Sequence, residues 1–170
     1  MKWFERVKCI EDLKQAYFKL AKKYHSDVGG NDETMKEINA EYSELHKRLK
    51  DIHRAFSKDG ETAEKYYTAE TETEECPEDF INIVRELLKL KLAVELCGRW
   101  LWISGETKAV KEDLKKLGCK YHGNKQMWSW HYPEDSAKLY KKRKPWTMAE
   151  IRNGYGSVKL KVTETEAIEG

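Results

Sequence analysis

Proline, long apolar runs and paired cysteines are all scarce in this chain. Three prolines occur in 170 residues: Pro77, Pro133 and Pro145. The stretch before Pro77 therefore has no proline to interrupt a helix. No apolar run approaches the roughly 20 residues that a membrane-spanning helix needs, so no membrane contact is expected. Cys9, Cys76, Cys97 and Cys119 form no CxxC pair, and reduced thiols are the expectation. Met1-Lys2-Trp3-Phe4-Glu5 lacks the apolar core of a signal peptide, which points to a cytoplasmic location. No P-loop, GxSxG or paired-carboxylate motif is present. Cys97, Cys119, His122 and His131 are too irregularly spaced for a zinc site. No cofactor, no metal and no enzymatic activity are expected.

Charge is abundant, at 36% of residues, and it is unevenly placed. Residues 58–79 carry 9 acidic and 2 basic side chains, whereas residues 80–157 carry 16 basic and 8 acidic ones. The acidic block reads as a solvated linker between two parts, residues 1–57 and 80–157, with 158–170 as a strand-like or disordered tail. Fold class is α+β: an all-helical antiparallel hairpin, then a module with a small three-stranded sheet and flanking helices.

The hairpin is read from two stripes. Leu13, Ala16, Tyr17, Leu20, Ala21 and Tyr24 recur at helical spacing, as do Met35, Ile38, Tyr42, Leu45 and Leu49. Gly29-Gly30 separates them, and Asn31 or Asp32 is placed to cap the second helix. That helix is expected to run on through Ile52 to Phe56. Trp3, Phe4 and Val7 suggest a short first helix. His25 and Asp27 sit at the hairpin tip, where exposed side chains act as contacts rather than acid–base groups.

Leu13-Lys14-Gln15-Ala16-Tyr17-Phe18-Lys19-Leu20-Ala21-Lys22-Lys23-Tyr24-His25, followed by Lys36-Glu37-Ile38-Asn39-Ala40-Glu41-Tyr42, resembles the J-domain of DnaJ-type co-chaperones. The resemblance covers about the first third of the chain. It implies that His25, Ser26 and Asp27 form the loop tripeptide. It also implies that this loop and Lys14, Lys19, Lys22 and Lys23 dock a DnaK-type chaperone ATPase. Ser26 stands where the family has proline. Serine leaves the loop freer, so more entropy is lost on docking.

In the second part, Phe80 to Val94 is apolar on several sides, and a helix over 80–97 is expected. Such a helix needs cover or a partner chain, which makes it a candidate homo-oligomer contact. Arg99–Ser104, Cys119–His122 and Gln126–Tyr132 read as strands, with a helix over Lys108–Leu117 capped by Thr107 and closed by Gly118. Leu101 and Ile103 share one strand face, opposite Trp100 and Trp102. One tryptophan pair is expected in the core and the other under the 80–97 helix. Gly105, Thr107, Lys108, Lys111, Leu114, Lys115, Gly118, Lys125, Trp128 and Trp130 give this module a likeness to a β-α-β-β appendage of phage and mobile-element proteins. Met148–Asn153 reads as a last helix and Ser157–Val162 as a last strand. The run Lys141, Lys142, Arg143, Lys144, with Trp146 beside it, is a candidate contact for single-stranded nucleic acid.

Two functions follow. The first is a co-chaperone that brings a DnaK-type ATPase to a client or partner held by the second module. The second is a nucleic-acid-binding accessory protein with an inactive J-like hairpin.

Overall fold

The computed structural model describes residues 2–26, 29–54, 66–68, 75–132 and 146–160. The chain is mixed α+β, and five helices occur among the described residues. Helix α1 (Ile10–Tyr24) and helix α2 (Asp32–Leu49) pack against each other. Glu11 and Asp12 in the first turn of α1, and Lys22 and Lys23 in its last, complement the helix dipole. The Asn31 side chain accepts the Glu33 N–H at 2.7 Å and caps α2. In the loop between them, Gly30 N–H donates to the His25 carbonyl at 2.9 Å.

The expected first helix is absent. Arg6 adopts φ 64, and residues 2–4 are instead tied to α2 by a side-chain carboxylate. The Glu41 carboxylate accepts the N–H groups of Lys2, Trp3 and Phe4 at 3.0–3.3 Å. Phe4 is thereby seated on Tyr42 in the core.

Helix α2 also stops short of the expected Phe56. Strand β1 (Ile52–Arg54) follows it and pairs antiparallel with β2 (Tyr66–Thr68). His53 Nδ1 lies 2.9 Å from Glu11 and Arg54 N–H donates to the same carboxylate at 3.0 Å, which ties β1 to the start of α1. The acidic stretch thus contributes a strand, and further on a buried glutamate and the first turn of the next helix.

Helix α3 (Pro77–Lys89) has proline in its first turn, where no N–H is needed. It is shorter than the expected 80–97 element. Lys91 turns into the left-handed region at φ 52, and β3 (Ala93–Cys97) begins. Gly98, at φ 59, then allows a tight hairpin into β4 (Trp100–Ser104), with Cys97 opposite Trp100. Helix α4 (Lys111–Lys116) starts after Val110 rather than Thr107. It ends with Gly118 at φ 79 and paired bonds from Gly118 and Cys119 back to Lys115 and Leu114. Strands β5 (Lys120–His122) and β6 (Met127–Trp130) form a second hairpin. Helix α5 (Met148–Tyr155) carries a capping box between Thr147 and Glu150. Strand β7 (Val158–Leu160) closes the chain's described part.

The main sheet has five antiparallel strands in the order β5-β6-β4-β3-β7, not three. The added strands are β3, taken from the expected long helix, and β7 on its edge. Register places Val94, Ile103, Trp128 and Tyr121 in one cross-strand row, and Leu96, Leu101 and Trp130 in the next. Except for Tyr121, these residues are buried. Phe80 of α3 meets Trp130 at 6.3 Å, and on its other side Tyr17 and Tyr42 at 6.0 Å. Helix α3 is therefore sandwiched between hairpin and sheet, and one apolar cluster spans both parts. Its apolar sides are covered within the chain, so the reason for a homo-oligomer contact through residues 80–97 falls away. No helix among the described residues is long and apolar enough to cross a membrane.

Candidate functional site

The hairpin tip was the leading candidate, and its residues divide. On α1, positions 10, 13, 17 and 21 are buried toward α2, and positions 14 and 18 extend burial around the helix. What remains at the surface near the loop is Lys19, Lys22, Lys23 and Ser26. The spacing of three and four among the lysines puts Lys19, Lys22 and Lys23 on one face of α1, and Ser26 follows in the loop. Lys23 Nζ rests over the Tyr24 ring at 5.0 Å, and Tyr24 meets Trp3 edge-on at 5.3 Å. The result is a short cationic stripe running to the loop.

His25 and Lys14, both expected contacts, are not on that surface. His25 is 7% exposed. Asp27 lies outside the described residues.

Lys14 is fully buried as well, at 0% exposure. Its ammonium donates to Glu75 at 2.7 Å and lies over the rings of Tyr132 and Phe80 at 4.6 and 5.5 Å. The other Glu75 oxygen pairs with Arg99, in the turn between β3 and β4. His46 of α2 stands 3.7 Å from the same carboxylate. Burial alone would raise the Glu75 carboxyl. His46, Lys14 and Arg99 outweigh it and hold the group far below the usual carboxylate range. This clasp joins α1, α2, the start of α3 and the sheet. Sequence reasoning placed Glu75 in a solvated linker and Lys14 on the solvent side. Neither residue carries a local signal of burial, because the groups that enclose them lie far off in the sequence.

On the second module, Lys141, Lys142, Arg143 and Lys144 lie outside the described residues. Trp146 is 39% exposed and meets Tyr155, 49% exposed, at 6.0 Å. Tyr155 itself packs over Gly98, where a Cβ would come within 3.0 Å of its ring.

The tryptophans sort as the alternation predicts, with one correction. Trp128 and Trp130 face α3 with Leu101 and Ile103. Trp100 and Trp102 lie on the opposite face and are not under α3. There they stack on each other at 5.7 Å, and His131 meets Trp100 at 4.0 Å. His122 bonds Ser129 Oγ at 2.8 Å, and burial, aided by Lys125, His131 and Lys120, pushes its imidazole below the ordinary value. Ser129 is 1% exposed, so this serine–histidine pair is closed to a substrate. Among the described residues no cluster of His, Cys, Asp and Glu is placed to hold a metal ion.

No family model, curated protein or solved structure matches this chain.

Proposed function

We propose that the chain is a J-domain-like adaptor that binds a DnaK-type ATPase through the cationic stripe Lys19, Lys22 and Lys23. The observation that carries this reading is the stripe itself. Three lysines stay exposed on one face of the α1–α2 hairpin and lead to Ser26 in the loop. Such a stripe favours an acidic partner surface and gives binding that weakens with salt. With His25 buried and Ser26 in place of proline, docking is not expected to bring strong stimulation of ATP hydrolysis. The second module would carry the client or partner.

The test is binding of the full chain to a DnaK-type ATPase at low and high salt, with steady-state ATP turnover read in parallel. The expected result is salt-sensitive binding, abolished in a Lys19→Gln/Lys22→Gln/Lys23→Gln variant, with little change in turnover. Binding that survives the triple substitution, or no binding by the intact chain, would refute the proposal.

A second reading, a nucleic-acid-binding accessory protein whose hairpin is only a scaffold, draws support from Trp100 and Trp102, stacked on the sheet face turned away from α3.

A further inference from the structure

The face of the sheet turned away from α3 carries one polar row across all five strands: Lys120, Ser129, Trp102, Glu95 and Lys159. Its two ends differ. At the β3 end, α5 packs down, and Arg152 holds Glu95 through bonds of 2.6 and 2.7 Å. That end is spoken for. At the β5–β6–β4 end the residues are aromatic and imidazole rings, with lysines around them.

One polar atom there lacks its partner. Trp102 is 3% exposed, and its indole N–H has no acceptor among the described residues. A donor shut away from water and left unpaired is costly, and a native structure keeps few of them. Around it stand His122, with ring centroids 5.3 Å apart, and half-buried Trp100, stacked nearly parallel at 18°. Lys125 comes from the β5–β6 turn and reaches over the Trp102 ring, 5.6 Å from its centroid. Lysine is the most readily displaced cover for such a ring, because its long stem rotates and its ammonium prefers water or an anion.

We infer that this half of the outer sheet face is a stacking site for unpaired bases of a single-stranded nucleic acid. His131 already lies on the Trp100 ring, 4.0 Å away, and a base added to this stack extends it. Its carbonyl or ring nitrogen supplies the acceptor that the Trp102 N–H lacks. Lys125, swung outward, and exposed Lys120 meet the phosphates on either side. Aromatic rings on a sheet with lysines flanking them are a recurrent way of holding splayed-out bases. The surroundings favour this occupant over an apolar client protein. The rows bordering the tryptophans hold Lys120, Ser129, Glu95 and His122 rather than a broad hydrophobic patch, and residues 80–157 carry 16 basic against 8 acidic side chains. A duplex is disfavoured because its bases are already stacked and paired.

The experiment uses the full chain and a fluorescein-labelled oligothymidylate of about 20 nucleotides, enough to span one such site. A hairpin duplex is the competitor. Anisotropy is followed from about 50 to about 200 mM KCl, together with tryptophan emission. The expected result is salt-sensitive binding of the single strand, with quenching of tryptophan and weak competition by the duplex. Trp100→Ala should weaken binding about tenfold, within the range for removal of one stacked base. Because that variant removes packing, Lys120→Gln/Lys125→Gln provides an independent reading. It should keep the wild-type melting temperature, weaken binding severalfold and flatten the salt slope by roughly 1.4, about 0.7 for each phosphate no longer neutralised. No anisotropy change at about 50 μM protein, well within the range where non-specific binding is seen, would overturn the inference. So would binding that the double lysine variant leaves unchanged, which would place the interface elsewhere, or equal affinity for the duplex without quenching. No chaperone is present in this assay, so its outcome is independent of the hairpin's role.

Discussion

Glu75→Gln removes one charge from the clasp and little else. Glutamine keeps the shape and one acceptor, yet leaves the Lys14 ammonium fully buried with no anion 2.7 Å away. Breaking a buried pair from one side costs about 3–5 kcal/mol. Two features lessen it. Lys14 retains the Tyr132 and Phe80 rings at 4.6 and 5.5 Å, worth about 1 kcal/mol. The Arg99 side chain is 22% exposed and can turn to water. The net loss is about 3 kcal/mol, a large share of the 5–15 kcal/mol typical of a folded domain. Urea unfolding should show it as a midpoint drop of about 1.5 M for a slope near 2 kcal/mol per M. The pH dependence has a definite sign. The Glu75 carboxyl lies lower in the folded chain than in the unfolded one. Its contribution is complete above the unfolded value, about 4.3, and is lost as pH falls toward the folded value. Glu75→Gln should lack that acid-side loss. A paired Lys14→Met/Glu75→Leu variant should recover most of the stability, since apolar replacement of a buried pair is often neutral or better. A loss below about 1 kcal/mol in Glu75→Gln would refute the reasoning, because it would match a solvent-exposed pair.

Other outcomes follow from individual side chains. Burial pushes the thiols of Cys9, Cys97 and Cys119 up to about 12, whereas Cys76 is exposed and its thiol is raised chiefly by the hydrogen bond it donates to Glu78. At pH 8 a disulfide reagent should therefore modify one thiol quickly and three only after denaturant, and a second fast thiol would contradict that. Gly30→Ala would bring its Cβ within 1.9 Å of the Tyr24 carbonyl oxygen, so the loop must shift. Thermal melts should register a loss of roughly 1–3 kcal/mol, the usual cost of forced overpacking. Thr147→Ala breaks the capping box of α5 and should cost about 1 kcal/mol, seen as faster amide exchange at Glu150 with the sheet unaffected.

The paired helices were legible because their stripes are long and strictly periodic, and the caps at Asn31 and Gly118 follow from residue type. Strand β3 was not. Leu87, Leu90 and Val94 continue the spacing of α3, while Leu92, Val94 and Leu96 alternate as a strand does, so Val94 fits both periods. Only the left-handed turn at Lys91 separates the two elements, and lysine gives no sign of it. The face assignment of Trp100 and Trp102 was legible from alternation, but not which face α3 would cover. Burial of Lys14 could not be read at all. Its partner lies 61 residues away in a stretch whose composition suggests solvent. Burial of His25 at the end of α1 carries no signal in the sequence either.

The role of the hairpin is tested most directly by zero-length carbodiimide cross-linking of the full chain to a DnaK-type ATPase, with linked residues mapped by mass spectrometry. Coupling joins only amines and carboxylates that already touch. The cationic stripe should give links from Lys19, Lys22 and Lys23 to acidic residues of the chaperone, and none from buried Lys14. Links confined to Lys36, Lys47 or the sheet module, or no links at all, would contradict the account.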